Sequence, residues 1–172
     1  RLCDEFSVIR IRSDVERKRL FGQWGKSSEK KLSGDMYTPE VTELVYRDVL
    51  AAHIPRVLKA GFSPVIDATC LQVWQRRLFR EIALRERVPF VILDVQARPE
   101  TLRKRLAERR VKSDDPSDAD AAILEQQLLT HQPLTNEEQM ETLHVDTERT
   151  DWWTTLATIL HSKLDCLPSP TE

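Results

Sequence analysis

Four short runs rich in β-branched residues, separated by longer amphipathic stretches, constrain the fold of this chain most. The runs are SVIRIRS (7–13), PVIDAT (64–69), FVILDV (90–95) and TLHVDT (142–147). Strands that alternate with helices favour a parallel sheet, because each helix carries the chain back to the edge where the strand began. FVILDV is almost continuously apolar, which predicts a strand covered on both faces. We therefore predict an α/β fold with helices on both faces of a parallel sheet.

The helices between these strands have recognisable ends. Thr38 supplies a capping hydroxyl and Pro39 a first-turn proline, so that a helix begins there. Pro55 lacks a backbone N–H and predicts a kink, and Gly61 ends the helix. The other helices are predicted at about 14–20, 71–87, 99–110, 118–129 and 152–164.

Composition and charge exclude several classes of protein. The chain has 172 residues, of which 40% are hydrophobic and 31% charged, which predicts a single globular domain over 1–165 with a tail at 166–172. Its net charge of −2 gives no attraction to nucleic acid or to anionic membranes. The three cysteines form no CxxC pair and the histidines have no metal-ligand spacing. We expect reduced thiols, no protein-held metal and a cytoplasmic location.

Two of the predicted strands end at an aspartate, Asp14 after RIRS and Asp67 in PVIDAT. The carboxyl ends of parallel strands form the usual ligand site of such sheets. An aspartate there can accept a proton from a substrate hydroxyl or hold the water shell of Mg²⁺. The structural alternative is that Ser13 or Asp14 only caps the next helix and that Asp67 only ends its strand.

One predicted helix is rich in arginine. Arg105 and Arg109 lie four residues apart on one flank of the Leu102–Leu106 stripe, where two guanidinium groups can bind a phosphate. A solvated helix face is the alternative. VKSDDPSDAD follows directly and predicts a lid at about 111–118 that closes over a nucleotide.

The stretch GQWGKSS (22–28) ends like a phosphate-binding loop but does not fit the motif. The motif G-x-x-x-x-G-K-[ST] requires a glycine five residues before Gly25, and that position is Leu20. The preceding SDVERKRL is charged, whereas the loop normally follows a buried strand. We therefore place no phosphate site there.

Several stretches together resemble a P-loop small-molecule kinase. They are SDVERKRLFG, VIDAT followed by Arg76 and Arg77, LRKRLAERR with SDDPSDAD, and LEQQL-x4-PLTNEE. The resemblance is to the gluconate-kinase, chloramphenicol-phosphotransferase and zeta-toxin type. More narrowly, it is to the kinase-like domain that follows an aminoglycoside-phosphotransferase-like domain in bacterial proteins. It extends from Arg1 to about Thr147.

The resemblance implies ATP and Mg²⁺ as cofactors and a small molecule with a hydroxyl group as the acceptor. It implies that Asp14 takes the proton of that hydroxyl and that Arg17 helps to place the acceptor. Asp67 would lie near the metal, and Arg105 and Arg109 would contact the phosphates of ATP. The lid would include Asp115, Ser117 and Asp118.

The chain also departs from this family. The expected strand order is 2-3-1-4-5, and the first, central strand and the phosphate-binding loop have no counterpart in the sequence. We therefore expect a truncated kinase domain that binds ATP weakly and catalyses little. The alternative is a non-catalytic nucleotide-binding or regulatory module. Nucleic-acid binding through the arginine helix is the least favoured, because that helix lacks interleaved aromatic residues.

Overall fold

A computed structural model describes residues 2–22, 34–112 and 121–165, except the side chains at 34, 35, 109–112, 121 and 163–165. All of GQWGKSS after Gly22, the proposed lid residues Asp115, Ser117 and Asp118, and the tail with Cys166 lie outside this description. The described part is a mixed α/β structure with parallel strands, as the alternation of patterns predicts.

The elements follow the predicted order, with bounds that differ by a few residues. The strands are β1 (Val8–Arg12), β2 (Ser63–Asp67), β3 (Ile92–Gln96) and β4 (Thr142–Asp146). The first helices are α1 (Leu2–Glu5), α2 (Ser13–Leu20), α3 (Pro39–Leu44), α4 (Ala51–Lys59) and α5 (Val73–Glu86). The later helices are α6 (Pro99–Lys112), α7 (Ala121–Thr130), α8 (Asn136–Met140) and α9 (Trp152–Asp165).

Within the described ranges the strands form two separate parallel pairs, β1 with β2 and β3 with β4. Arg12 is the register partner of Asp67 in the first pair, and Asp94 is the partner of His144 in the second. Each pair has one face that packs against helices. Ile11 of β1 contacts the helices on its side, and Val145 of β4 contacts α9.

The expectation that FVILDV forms a strand covered on both faces is wrong. Its apolar residues pack into two different hydrophobic cores. Phe90 packs into the core beside β1 and β2, whereas Leu93 packs against the core beside β3 and β4. The side chain of Val95 is 64% exposed. On the face opposite Leu93, the carboxylate of Asp94 lies 3.0 Å from Nδ1 of His144, a polar pair rather than a helix contact.

The long helix expected from Thr38 to Gly61 is divided by a change in its winding. The Thr38 hydroxyl caps α3 by accepting from the Val41 N–H at 3.3 Å, as predicted. Residues Val45–Leu50 are π-helical, and regular α-helix resumes at α4, which contains Pro55. Gly61 follows the helix at a φ of +81°, a left-handed conformation that glycine adopts without strain.

A buried arginine joins the two halves of the described structure. Arg76 on α5 donates from Nε and Nη2 to the two carboxylate oxygens of Glu138 on α8, at 2.8 and 3.0 Å. Its Nη atoms also donate to three backbone carbonyls, those of Cys70, Gln132 and Pro133. Arg76 and Glu138 are only 5% and 6% exposed. This pair therefore holds the loop after β2 against the segment that precedes α8.

The buried pair makes folding sensitive to acid. Burial favours the neutral form of Glu138, but the hydrogen bonds from Arg76 and from Thr135 outweigh it and lower the pKa of Glu138 below 4.5. The stabilisation is therefore complete above pH 4.5 and is lost as the pH falls through the folded-state pKa. We expect urea unfolding of the unaltered protein to show falling stability over this range. Glu138→Gln should flatten that dependence, and an unchanged slope would contradict the assignment.

Candidate functional site

The two aspartates singled out from the sequence lie at the same edge of the same strand pair. Asp67 is the last residue of β2, and Asp14 is the second residue of α2, directly after β1. Arg12 lies between them. Its Nη2 donates to Asp14 Oδ2 at 2.9 Å, and its Nε lies 3.7 Å from Asp67 Oδ2.

The interpretation of Ser13 or Asp14 as a helix cap is wrong. Helix α2 begins at Ser13, its cap position is Arg12, and no side chain caps it. Asp14 Oδ1 accepts from the adjacent Val15 N–H, at 2.8 Å. Both carboxylate oxygens of Asp14 are thereby oriented, while about a fifth of the side chain stays exposed. The Asp14 carboxylate is therefore held in place while part of it stays accessible to a ligand.

Asp67 is paired with a residue that the sequence interpretation did not single out. Arg10 donates from Nε to Asp67 Oδ2 at 2.8 Å, and its Nη2 contacts the same oxygen. Among the described residues no hydrogen bond reaches Asp67 Oδ1. The signal for these contacts was the RIR spacing, since residues two apart on a strand share a face. It became meaningful only once β2 was known to pair with β1.

Arg17 is buried beside this edge and holds backbone in place. Its Nη1 donates to the Met36 carbonyl at 2.6 Å, its Nη2 donates to the Thr42 hydroxyl at 3.4 Å, and its guanidinium lies 5.1 Å from the centre of the Tyr37 ring. Burial lowers the pKa of Arg17, and the negative charge of Asp14 acts in the opposite direction. These contacts join the 3-10 turn Gly34–Tyr37 to α3. Contact with an acceptor stays a prediction.

Tyr46 supports the loop that follows Asp67. It lies in the π-helical turn, is 2% exposed, and its hydroxyl accepts from the Cys70 N–H at 3.4 Å. Burial raises the pKa of the Tyr46 hydroxyl, so it stays protonated. Cys70 has a φ of +45°, which is uncommon for a residue with a Cβ. Tyr46 and Arg76 thus hold a strained turn three residues after Asp67.

Cys70 is expected to react slowly with alkylating reagents. Burial raises the pKa of its thiol to about 11, so very little reactive thiolate is present near neutral pH. Cys3 is an exposed free thiol and provides the internal control. Iodoacetamide at pH 8, followed by peptide mass spectrometry, should label Cys3 well before Cys70 in the folded protein. Equal rates would contradict the buried environment of Cys70.

Arg105, predicted to bind phosphate, lies at the carboxyl end of β4 and not at the Asp14–Asp67 edge. Its Nη1 donates to the Thr147 hydroxyl at 2.7 Å, and its Nη2 donates to the Thr147 carbonyl at 3.0 Å. The neighbouring Arg98 donates from Nε to Glu148 at 2.9 Å, so α6 is held to the segment that follows β4. The backbone of Arg109 belongs to α6, but its side chain lies outside the described residues. Phosphate binding by Arg105 and Arg109 stays a prediction.

The described residues contain neither a group of metal ligands nor a helix that could span a membrane. No three His, Cys, Asp or Glu side chains in residues 2–22, 34–112 and 121–165 converge as metal ligands. Over the same part of the chain, no helix has the length and apolar character needed to cross a membrane.

Comparison with known protein families agrees with the mixed α/β architecture. A search of curated proteins finds no match for the chain. A family model described as an AAA domain matches residues 1–134, which include the Asp14–Asp67 edge and helix α6. That family is of the P-loop NTPase-like kinase type, which supports nucleotide binding in general. Since the match covers most of its length, the chain belongs to the AAA domain family.

Proposed function

We propose that this chain is part of an ATP-dependent phosphotransferase, which transfers the γ-phosphoryl group to a hydroxyl of a small molecule. The observation that carries the proposal is that two carboxylates, at the carboxyl ends of neighbouring parallel strands, both contact Arg12. Asp14 lies two residues after the end of β1 and Asp67 ends β2, 53 positions away in the sequence, and Arg12 contacts both. Two acids at the carboxyl ends of neighbouring parallel strands suit proton transfer and metal-assisted phosphate chemistry.

Asp14 would be the general base. The acceptor O–H bond breaks as its proton passes to the Asp14 carboxylate. The oxygen then uses the freed electron pair to bond the γ-phosphorus, and the bond from that phosphorus to the bridging oxygen breaks, releasing ADP. The Arg12 and Val15 N–H groups keep the carboxylate oriented while lone pairs on both oxygens stay available.

The residues present fit a magnesium nucleotide in part. Mg²⁺ prefers carboxylate oxygens and retained waters, and Asp67 Oδ1 accepts no hydrogen bond from the described residues. When bound, the metal would neutralise charge on the transferring phosphate. Arg105 is already held at the end of β4, and its remaining N–H donors suit a phosphate oxygen.

We also propose that the two strand pairs are the outer parts of one parallel sheet in a three-layer fold. In the family's strand order, 2-3-1-4-5, strands 2 and 3 would correspond to β1 and β2, and strands 4 and 5 to β3 and β4. The central strand would lie between β2 and β3. Two isolated parallel pairs support this, because each leaves backbone donors and acceptors unpaired at an edge where another strand would satisfy them. An aminoglycoside-phosphotransferase-like domain in the same polypeptide is a further part of the proposal.

The test is ATP turnover by the polypeptide at its natural length, since these 172 residues contain no G-x-x-x-x-G-K-[ST] motif. ADP release is measured with a panel of small alcohols, sugars and aminoglycosides, with and without Mg²⁺. We expect acceptor-stimulated, magnesium-dependent release and a phosphorylated product visible by mass spectrometry. Absence of any acceptor-dependent ADP release across the panel would contradict the proposal.

The second candidate is a non-catalytic nucleotide-binding module. The observation that favours it is the double contact of Arg10 with Asp67, which occupies one oxygen of the proposed metal-side carboxylate. Calorimetric titration with ATP and Mg²⁺ distinguishes the two functions when combined with the turnover assay. Binding without phosphorylation of any acceptor would favour the module.

A further inference from the structure

Four charged side chains form a network of ion pairs near the carboxyl ends of β1 and β2. Arg10 contacts Asp67, Asp67 lies next to Arg12, and Arg12 contacts Asp14. The group contains two positive and two negative charges and is formally neutral. Among the described residues, Arg12 is the side chain that contacts both aspartates, since the contacts of Arg10 reach Asp67 and not Asp14.

Arg12 differs from Arg10 in burial and in what it orients. The Arg12 side chain is 24% exposed, against 49% for Arg10, and its Nε is buried. It donates to Asp14 Oδ2 while the Val15 N–H donates to Oδ1, so these two contacts set the plane of the carboxylate. A guanidinium fixed by a strand and partly shielded from water orients a carboxylate more firmly than an exposed one does.

We propose that Arg12 is a positioning residue, which aligns the Asp14 carboxylate with the acceptor hydroxyl and links it to Asp67. The proposal rests on the proposed function, in which Asp14 accepts the hydroxyl proton. Arg12 itself transfers no proton, because its N–H groups stay on the guanidinium throughout. When the proton moves to Asp14, one negative charge of the group is neutralised. Arg12 keeps Asp67 as a neighbouring counter-charge and continues to hold the side chain of Asp14 in place after the transfer.

The kinetic test uses Arg12→Ala in the natural-length protein. Misplacement of a catalytic group by about 1 Å costs about 10²-fold in rate, so we expect a fall in kcat of that order with little change in the KM for ATP. Guanidinium ion added in solution should restore part of kcat, and Arg12→Lys should retain more activity than Arg12→Ala. Arg77→Ala is the matched control, because Arg77 lies in an exposed pair with Glu81 on α5. An unchanged kcat in Arg12→Ala would overturn the proposal.

A second measurement does not depend on catalysis, so that failure of the proposed function and failure of this inference can be told apart. Carboxyl-carbon NMR of the natural-length protein follows Asp14 and Asp67, assigned with Asp14→Asn and Asp67→Asn. Arg12→Gln should shift both carboxyl signals, whereas Arg10→Gln should shift that of Asp67 and leave that of Asp14 nearly unchanged. If Arg12→Gln leaves the Asp14 signal in place, the link is overturned even in an active enzyme. If the signals shift as expected but no acceptor is phosphorylated, the proposed function fails and the link stands.

Discussion

The Asp14→Asn variant is expected to lower kcat by about 10²–10⁴-fold, the usual contribution of a positioned general base. Asparagine keeps the size of the side chain, and its one carbonyl oxygen can still accept from either Arg12 or the Val15 N–H, the two donors that hold Asp14 in place. It cannot take up the acceptor proton at neutral pH. The loss should therefore appear in kcat at saturating ATP and acceptor, measured with the natural-length protein.

The control for this variant is Asp48→Asn. Asp48 is an exposed aspartate of the π-helical turn, and the structure gives it no part in the Asp14–Asp67 edge. Asp48→Asn should leave kcat within about twofold, because isolated surface changes rarely disturb the fold. Asp14→Glu keeps a carboxylate but moves it, so it should retain partial activity. Turnover that survives Asp14→Asn or Asp14→Ala undiminished would contradict the role of Asp14 as base.

The Arg76→Ala variant is expected to lower the free energy of unfolding by about 3–5 kcal/mol, the cost of breaking a buried ion pair. Arg76 makes two hydrogen bonds with the Glu138 carboxylate and three with carbonyls from two other segments. Alanine leaves Glu138 charged and buried, with most of its counter-charge removed. Urea unfolding at pH 7 measures the effect.

Two further variants test the cause of this loss. Arg77→Ala, from the exposed i,i+4 pair with Glu81, should change the free energy of unfolding by no more than about 0.5 kcal/mol. Arg76→Ala combined with Glu138→Ala should cost less than the sum of the single losses, because no charge is then left buried alone. A loss for Arg76→Ala no larger than for Arg77→Ala would show that the pair does not hold the two halves together.

Local patterns predicted most elements because each depends on neighbouring residues. Thr38 with Pro39 predicted the start of α3, and Gly61 predicted the end of α4, since capping and left-handed conformation are decided within one turn of helix. The strand predicted at FVILDV is present as β3, but the expectation that it is covered on both faces was wrong, because coverage depends on distant residues. Its apolar character did not reveal that Phe90 and Leu93 would pack into different cores.

For the candidate site, Asp14 and Asp67 were accessible to sequence reasoning because each follows a recognisable strand. Arg10 and Arg12 were not, since charged residues on a short strand are usually solvated and the contacts of both with Asp67 join residues more than 50 positions apart. The buried contact of Arg76 with Glu138 was equally inaccessible, because it joins residues 62 positions apart. PLTNEE was recognised as part of a family pattern, but nothing local showed that Glu138 would be the buried partner of an arginine on α5.

The sequence by itself determined the alternation of strands and helices, the two aspartates at strand ends, and the arginine-rich helix α6. These follow from periodicity and residue type within short windows. Only the tertiary structure decided that β1 pairs with β2, and therefore that Arg12 lies between Asp14 and Asp67. It alone also showed that Arg105 is held at Thr147 and that Arg76 meets Glu138. The physical reason is that strand register and buried ion pairs join residues distant in sequence, where no local pattern records the partner.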